Sequence, residues 1–172
     1  MSDLDTNAKR LSNWAKRRIT LKNHQWHDID WGKAERKVKE IQEKITVAIL
    51  KKDLKEVYRL QWILIQCFEA QALAVKKVVT NKGGKTAGID GIIWTSPQEY
   101  WNAIEQLARL IQDSKMYKSQ PVKRIYIPKP NSPGEKRPLG IPTMIDRAMQ
   151  ALYPLRGRSS GLNFIRSKFI WI

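Results

Sequence analysis

Apolar residues recur every three or four positions in the first half of the chain, a spacing typical of amphipathic helices. One such helix is predicted from Ala34 to Lys51 and a second from Asp53 to Asn81. Asp53 and Glu56 predict a capping box at the N-terminus of the second helix. Gly83-Gly84, just beyond Asn81, predicts the termination of that helix. Because a short turn joins them, the two helices are expected to form an antiparallel hairpin. Their buried stripes would consist of Val38, Ile41, Ile45 and Ala48, followed by Val57, Leu60, Leu64, Phe68, Gln71, Val75 and Val78.

A third helix is predicted to begin after Ser96, where three start signals agree. Ser96 can cap the helix, Pro97 suits its first position, and Glu99 can complete a capping box. The apolar spacing then continues, and we expect this helix to end near Ser114.

Two short strands are predicted next, joined by a turn-rich loop. The first is Ile125–Ile127, closed by Pro128, and the second is Leu139–Ile141, with a proline on each side. Because a proline removes a ladder donor, both strands are expected at a sheet edge. Thr143 is then predicted to cap a short helix, with Asp146 three residues on. The sequence therefore predicts an α+β fold that is mainly α.

Charge adds the expectation of a polyanionic partner. The 172 residues contain 32 lysines and arginines against 16 acids, a net charge of +16, and the sequence pI is about 10.1. Such an excess most often indicates nucleic-acid binding. The single cysteine, Cys67, allows neither an internal disulfide nor a cysteine-based zinc site, and we expect it to be buried. Without an apolar signal core or a run of about 18 apolar residues, a soluble chain in the cytoplasm or an organelle interior is expected, with no membrane partner.

The two histidines do not predict a metal site. His24, His27 and Asp28 lie close together in the sequence, but no third convincing ligand accompanies the histidines at helical spacing. The tryptophans of the same segment, Trp26 and Trp31, are interpreted as anchors that pack this segment onto the helices behind it.

A glycine-rich segment resembles a nucleotide-binding loop only at its end. Gly84-Lys85-Thr86 matches the end of the P-loop pattern, but the first glycine of that pattern would fall at Val79, and a helix precedes it. An NTPase is therefore not expected. The glycines predict either a loop that lets a nucleic-acid backbone approach Lys82 and Lys85, or a plain linker.

The predicted β-hairpin is strongly basic. A single acid, Glu135, accompanies five cations, and lysine and arginine side chains on a rigid hairpin are suited to holding phosphates. A solvated basic hairpin without a defined ligand is the alternative. The five cations are Lys123, Arg124, Lys129, Lys136 and Arg137.

Three segments resemble group II intron-encoded reverse transcriptases, the intron maturases. The string IPKPNSPGEKRPLGIPTMIDRAMQ, residues 127–150, is similar to the first fingers-hairpin motif of that family. NKGGKTAGIDG, residues 81–91, resembles the block before it, and residues 26–31 with the following helix resemble the N-terminal helical region. The loop at 132–135 is longer than the family's usual turn, and the resemblance stops after about Tyr153.

The resemblance assigns roles to the basic residues. Lys129 and Arg137 match the two fingers residues that contact the triphosphate of the incoming nucleotide. The implied partner is RNA, either intron RNA or an RNA template with a DNA primer. No cofactor is expected in this chain, since Mg²⁺ would be held only by a complete enzyme with a palm. The further cations expected to bind nucleic acid are Lys82, Lys85, Lys123, Arg124, Lys136 and Arg147.

The carboxylates that polymerisation requires are not evident in the sequence. Two divalent metals must be held by convergent carboxylates, which the family supplies from a palm strand and a Tyr-Ala-Asp-Asp turn. We therefore expect an N-terminal fragment of an RNA-directed DNA polymerase and maturase that is inactive alone. A stand-alone basic RNA-binding or splicing-assistance module is the alternative. The acids after the glycine-rich segment are scattered: Asp90, Glu99, Glu105, Asp113, Glu135 and Asp146.

The chain is accordingly expected to have four parts. Residues 1–23 would be a flexible basic arm, and residues 24–92 a helical region with the glycine-rich loop. Residues 93–153 would form a partial fingers subdomain. The tail, residues 154–172, matches no motif and is expected to be disordered.

Overall fold

A computed structural model describes residues 26–112, 117–130 and 132–157. The predicted basic arm, His24 and residues 158–172 of the predicted tail lie outside this part of the chain. The described residues form a mainly helical α+β structure, which confirms the predicted fold class. Its elements are α1 (Trp31–Leu50), α2 (Leu54–Gln66), α3 (Phe68–Thr80), α4 (Pro97–Gln112), β1 (Lys123–Lys129), β2 (Ser132–Ile141) and α5 (Met144–Leu152), with short 3₁₀ helices at Trp26–Asp28, Lys82–Lys85 and Tyr153–Arg156.

The predicted second helix is in fact two helices, because the chain becomes extended at Cys67 (φ −74°, ψ 136°). The expectation of one continuous helix was wrong, although its buried stripe runs on through both halves. Cys67 Sγ accepts a hydrogen bond from the Ala70 amide at 3.3 Å and so caps α3. The Gln71 side chain donates to the Ile65 carbonyl at 3.0 Å, which satisfies an acceptor that the break leaves free. Cys67 is buried as predicted, and burial raises the pKa of its thiol to about 11.

Helix α3 lies at the centre of the fold and packs against α1, α4 and α5. Its small side chains, Ala70, Ala72 and Ala74, are almost fully buried, so that neighbouring helices can approach closely. Larger apolar side chains fill the remaining space between the helices. The largest fully buried ones are Ile45, Leu64, Leu107, Met144, Met149, Leu152 and Val75.

The N-terminal tryptophans pack on this helical structure, as the sequence predicted. The Trp26 ring lies 4.8 Å from that of Trp31 and 4.9 Å from that of Tyr100, centroid to centroid, both edge to face. The ammonium of Lys76 lies 4.5 Å above the Trp31 ring. His27 is exposed, in the middle of the short 3₁₀ helix Trp26–Asp28.

The predicted start of α4 is confirmed in its details. The Glu99 carboxylate accepts hydrogen bonds from the backbone amides of Thr95 at 2.6 Å and Ser96 at 2.8 Å. Those backbone bonds are the main reason that the pKa of Glu99 falls to about 2. The helix ends at Gln112, and the predicted end near Ser114 falls in residues 113–116, outside the described ranges.

The β-hairpin is present, but its strands are longer than predicted. They pair antiparallel from Lys123 opposite Ile141 to Pro128 opposite Lys136. Each strand was predicted to end at a proline, because proline cannot donate to the strand ladder. In a two-stranded ribbon, however, both strands are edge strands, and proline is tolerated where its position faces outward. The register shifts after Pro128, and Gly134 adopts φ +90° in this irregular end, a conformation that favours glycine.

The last described residues differ from the predicted tail boundary. Residues 154–156 belong to a 3₁₀ helix that continues directly from α5. The Gln42 side chain donates to the Leu155 carbonyl at 2.8 Å, and Leu155 packs against the core. Within the described ranges, no helix is long and apolar enough to cross a membrane.

Candidate nucleic-acid interface

The glycine-rich loop is fitted against the junction between β2 and α5. A Cβ atom on Gly88 would lie 2.7 Å from the Cα of Thr143, and one on Gly84 would lie 2.5 Å from the Val78 carbonyl oxygen. Both distances are shorter than side chains allow, so only glycine permits this approach. The loop is therefore a packed segment of the structure, and the plain-linker interpretation does not describe it.

Arg147 of α5 fastens the same loop from the other side. Its Nη1 donates to the Gly83 carbonyl at 2.7 Å and its Nη2 to the Thr86 carbonyl at 2.6 Å. Its Nε donates to the Pro142 carbonyl at 3.0 Å, next to the end of β2. Partial burial lowers the pKa of this guanidinium, and its planar fork holds three carbonyls at once. The sequence proposed Arg147 as a nucleic-acid contact; in this structure its donors hold protein backbone.

Asp146 organises the chain that leads into the hairpin. Its carboxylate is buried, with 1% of the residue exposed, and accepts hydrogen bonds from three groups. These are the Tyr117 hydroxyl, the Gln120 amide at 3.3 Å, and the Thr143 hydroxyl at 2.6 Å. Burial, and then the bond to Asp146, raise the pKa of Tyr117 above its ordinary value. The sequence assigned Asp146 only to the helix start, where the Thr143 cap is confirmed.

These contacts join the loop that carries Lys82 and Lys85 to the base of the hairpin. Lys82 and Lys85 are exposed on the loop that Arg147 and Gly88 hold against the base of the hairpin. Lys123 lies at that base, opposite Ile141 in the strand pairing. The hairpin beyond the base packs mainly on itself, and its cations are exposed. The loop and the hairpin base, which both carry exposed cations, are thus held together by these contacts.

The hairpin cations have few carboxylate partners. Lys129 pairs with Glu135 across the irregular end of the ribbon, in an exposed position where such a pair stabilises little. No carboxylate of the described residues pairs with the other four. Those four are Lys123, Arg124, Lys136 and Arg137.

Strand alternation sorts the hairpin side chains onto two faces. One face carries Ile125, Ile127 and Leu139, with Arg137 opposite Ile127. Lys129 follows the register shift after Pro128 and pairs with Ser132, so regular alternation does not place it beside Arg137. The predicted convergence of these two cations on one phosphate group stays a prediction.

The helical part of the molecule distributes its charge differently. Some of its cations pair with carboxylates on a neighbouring helix, as in the ion pairs Lys37–Glu69 at 2.7 Å and Lys76–Glu35 at 3.8 Å. Residues 26–112 contain fourteen basic and eleven acidic side chains, whereas residues 117–157 contain eight and two. The positive excess of the described chain is thus concentrated around the hairpin. Nowhere in the described residues do three His, Cys, Asp or Glu side chains form a group that could hold a metal ion.

Comparison with known protein families locates one known domain in the helical part. Residues 26–107 match the family model of the N-terminal domain of reverse transcriptase. The matched range includes α1–α3, the glycine-rich loop and most of α4, and it ends before β1.

Two curated relatives share part of this chain. Protein YkfC of Escherichia coli strain K12 is 39% identical over 79 residues, which cover 46% of this chain and 20% of that protein. The group II intron-encoded protein LtrA of Lactococcus lactis subsp. cremoris is 38% identical over 85 residues, covering 45% of this chain and 12% of LtrA. The resemblance to group II intron reverse transcriptases is thus confirmed. The chain spans a fifth or less of the length of these relatives.

Proposed function

We propose that this chain is the N-terminal, RNA-binding part of a group II intron reverse transcriptase and maturase. The observation that supports it is the concentration of unpaired cations on an exposed hairpin, mounted beside a reverse-transcriptase N-terminal domain. Intron RNA, or an RNA template with its DNA primer, supplies the phosphates that this surface contacts.

The cations have different roles in this proposal. Lys82 and Lys85 on the loop, with Lys123 at the hairpin base, contact the nucleic-acid backbone. Lys129 and Arg137 contact the triphosphate of an incoming nucleotide in a complete enzyme, which must first displace Glu135 from Lys129. Arg147 acts indirectly, by holding the loop against the hairpin base.

We further propose that these 172 residues do not polymerise by themselves. Metal-assisted phosphoryl transfer requires cations fixed by convergent carboxylates. The acids of the hairpin region serve other purposes, since Asp146 is buried under three donors and Glu135 pairs with Lys129. Magnesium chemistry is left to a palm carried elsewhere.

A filter-binding titration of RNA against salt tests the proposal. If the surface engages about six phosphates, affinity should fall about a thousandfold between 50 and 200 mM salt. Replacing Lys123 and Lys136 together with Ala should lower the salt slope by about two, because each lost phosphate contact lowers it by about one.

The matched control removes the same charge from the helical part. Lys33 and Lys44 are exposed on α1, and replacing both with Ala should leave the slope nearly unchanged. A flat salt response of the unmodified chain, or an equal loss of slope in both double variants, would overturn the proposed hairpin interface.

A further inference from the structure

Tyr126 is an exposed aromatic side chain in the middle of the hairpin. It leaves 62% of its surface open to solvent, although it lies within a paired strand. The described tyrosines of the helical junctions behave differently: Tyr100 packs against Trp26, and Tyr117 donates to Asp146. Neither a ring contact nor a hydrogen bond of its hydroxyl engages Tyr126 within the described residues.

The neighbours of Tyr126 follow from the strand register. Pro138 lies directly opposite, so that its Cβ is about 5 Å from that of Tyr126. Arg124 stands two residues away on the same strand, and Lys136 is a diagonal neighbour on the partner strand. The same face thus presents a flat apolar pair, Tyr126 and Pro138, between two exposed cations.

The apolar strip extends toward the hairpin base. Gly140 is the other diagonal neighbour, and a Cβ there would lie 3.0 Å from the Val122 side chain, which covers this position. Val122 is itself exposed. Packing of the described helices does not explain this strip, since the hairpin contacts mainly itself.

Alternating aromatic and cationic groups are what a single nucleic-acid strand requires. Every base has a π-face that can stack on an aromatic ring, while cations at either end hold the backbone. The base of a duplex is already stacked and cannot reach such a ring without being unpaired. A second protein surface is the competing occupant, but it would not call for cations without acids on both sides of the ring.

We propose that Tyr126 stacks on an unpaired base of a single RNA strand whose phosphates lie against Arg124 and Lys136. This site is on the opposite face of the hairpin from Arg137, so one ribbon would contact the strand on one side and a triphosphate on the other. The inference rests on the proposed RNA binding and adds which residue contacts a base.

The test measures the affinity of a labelled single-stranded RNA by fluorescence anisotropy at fixed salt. Tyr126→Ala should weaken binding about tenfold, the scale of losing one stacked base. Because no charge is removed, the salt slope should stay unchanged. Tyr126→Phe keeps the ring and should bind like the unmodified chain. Tyr58→Ala is the matched control: that tyrosine is 57% exposed on α2, and its loss should leave affinity unchanged.

The outcomes separate this inference from the proposed function. Steeply salt-dependent binding that Tyr126→Ala does not weaken would refute stacking and leave the function standing, whereas absence of RNA binding would remove both. A duplex RNA of the same sequence is the second arm. An equal loss of single-strand and duplex affinity in Tyr126→Ala would show that the ring shapes the hairpin and contacts no base, and would also overturn the inference.

Discussion

The four-helix body (α1–α4) and the β-hairpin use charged residues in opposite ways. In the body, acids nearly balance bases, and ion pairs such as Lys37–Glu69 link one helix to another. In the hairpin, four cations lack any carboxylate partner among the described residues, and self-repulsion between them is not relieved by folding. Balanced charge serves a solvated surface, whereas unbalanced charge on a narrow ribbon is explained by a polyanionic ligand.

The two regions also differ in what keeps them in place. Apolar burial holds the body together, with Ile45, Leu64 and Leu107 fully enclosed. Among the hairpin residues whose burial is described, only Ile141, at the base, is buried, and the hairpin is oriented by polar contacts of Asp146 and Arg147. The stability of the body should therefore be most sensitive to the loss of buried apolar side chains, and the position of the hairpin to the loss of the polar side chains at its base.

The largest effect is expected in the body. Leu64→Ala should lower the free energy of unfolding by about 3 kcal/mol, through lost burial and the cavity left behind. Leu139→Ala, which removes the same atoms from a hairpin residue that is 44% exposed, should change it by less than about 0.5 kcal/mol. Urea denaturation followed by circular dichroism measures both. Similar losses in the two variants would mean that the hairpin is part of the core and that the contrast is false.

A smaller effect is expected where body and hairpin meet. Asp146→Ala should lower the free energy of unfolding by about 2 kcal/mol, because the Gln120 amide and the Thr143 hydroxyl lose their hydrogen-bond acceptor. Hydrogen exchange should accelerate more in residues 117–122 than in α1, since the carboxylate holds that segment directly. Glu43→Ala, at an exposed site on α1, is the control. Uniform acceleration over all helices would show that Asp146 supports general stability and does not position the hairpin.

The smallest effect concerns the start of α4. The pKa of Glu99 is lowered from its ordinary value of 4.5 to about 2, so its contribution to stability is complete above about pH 4.5 and is lost as pH falls toward 2. Glu99→Gln should flatten the pH dependence of the melting temperature in that window and change little at pH 7 beyond a small decrease. Thermal melts of both proteins from pH 2 to 6 are the measurement. Identical pH profiles would show that the capping contacts do not hold in solution.

Local sequence signals determined the secondary structure where they are strong. Ser96 with Glu99 marks the start of α4, and Thr143 marks that of α5, because a cap needs only residues three positions apart. The hairpin followed from its turn residues and short apolar runs. The break at Cys67 did not follow from the sequence. It is stabilised by the side chains of Cys67 and Gln71, and neither residue type is a signal for the end of a helix.

Sequence alone therefore determined the helical segments apart from the break at Cys67, the hairpin, its charge and the family resemblance. Tertiary structure decided which of the basic and acidic residues remain available to a ligand. Arg147 and Asp146 belong to the motif that the sequence singled out, yet their partners, Gly83, Thr86 and Tyr117, lie 64, 61 and 29 residues away. No local sequence pattern encodes contacts between residues so far apart in the chain. A buried polar group forms its hydrogen bond with whichever donor or acceptor the packing of the helices brings next to it.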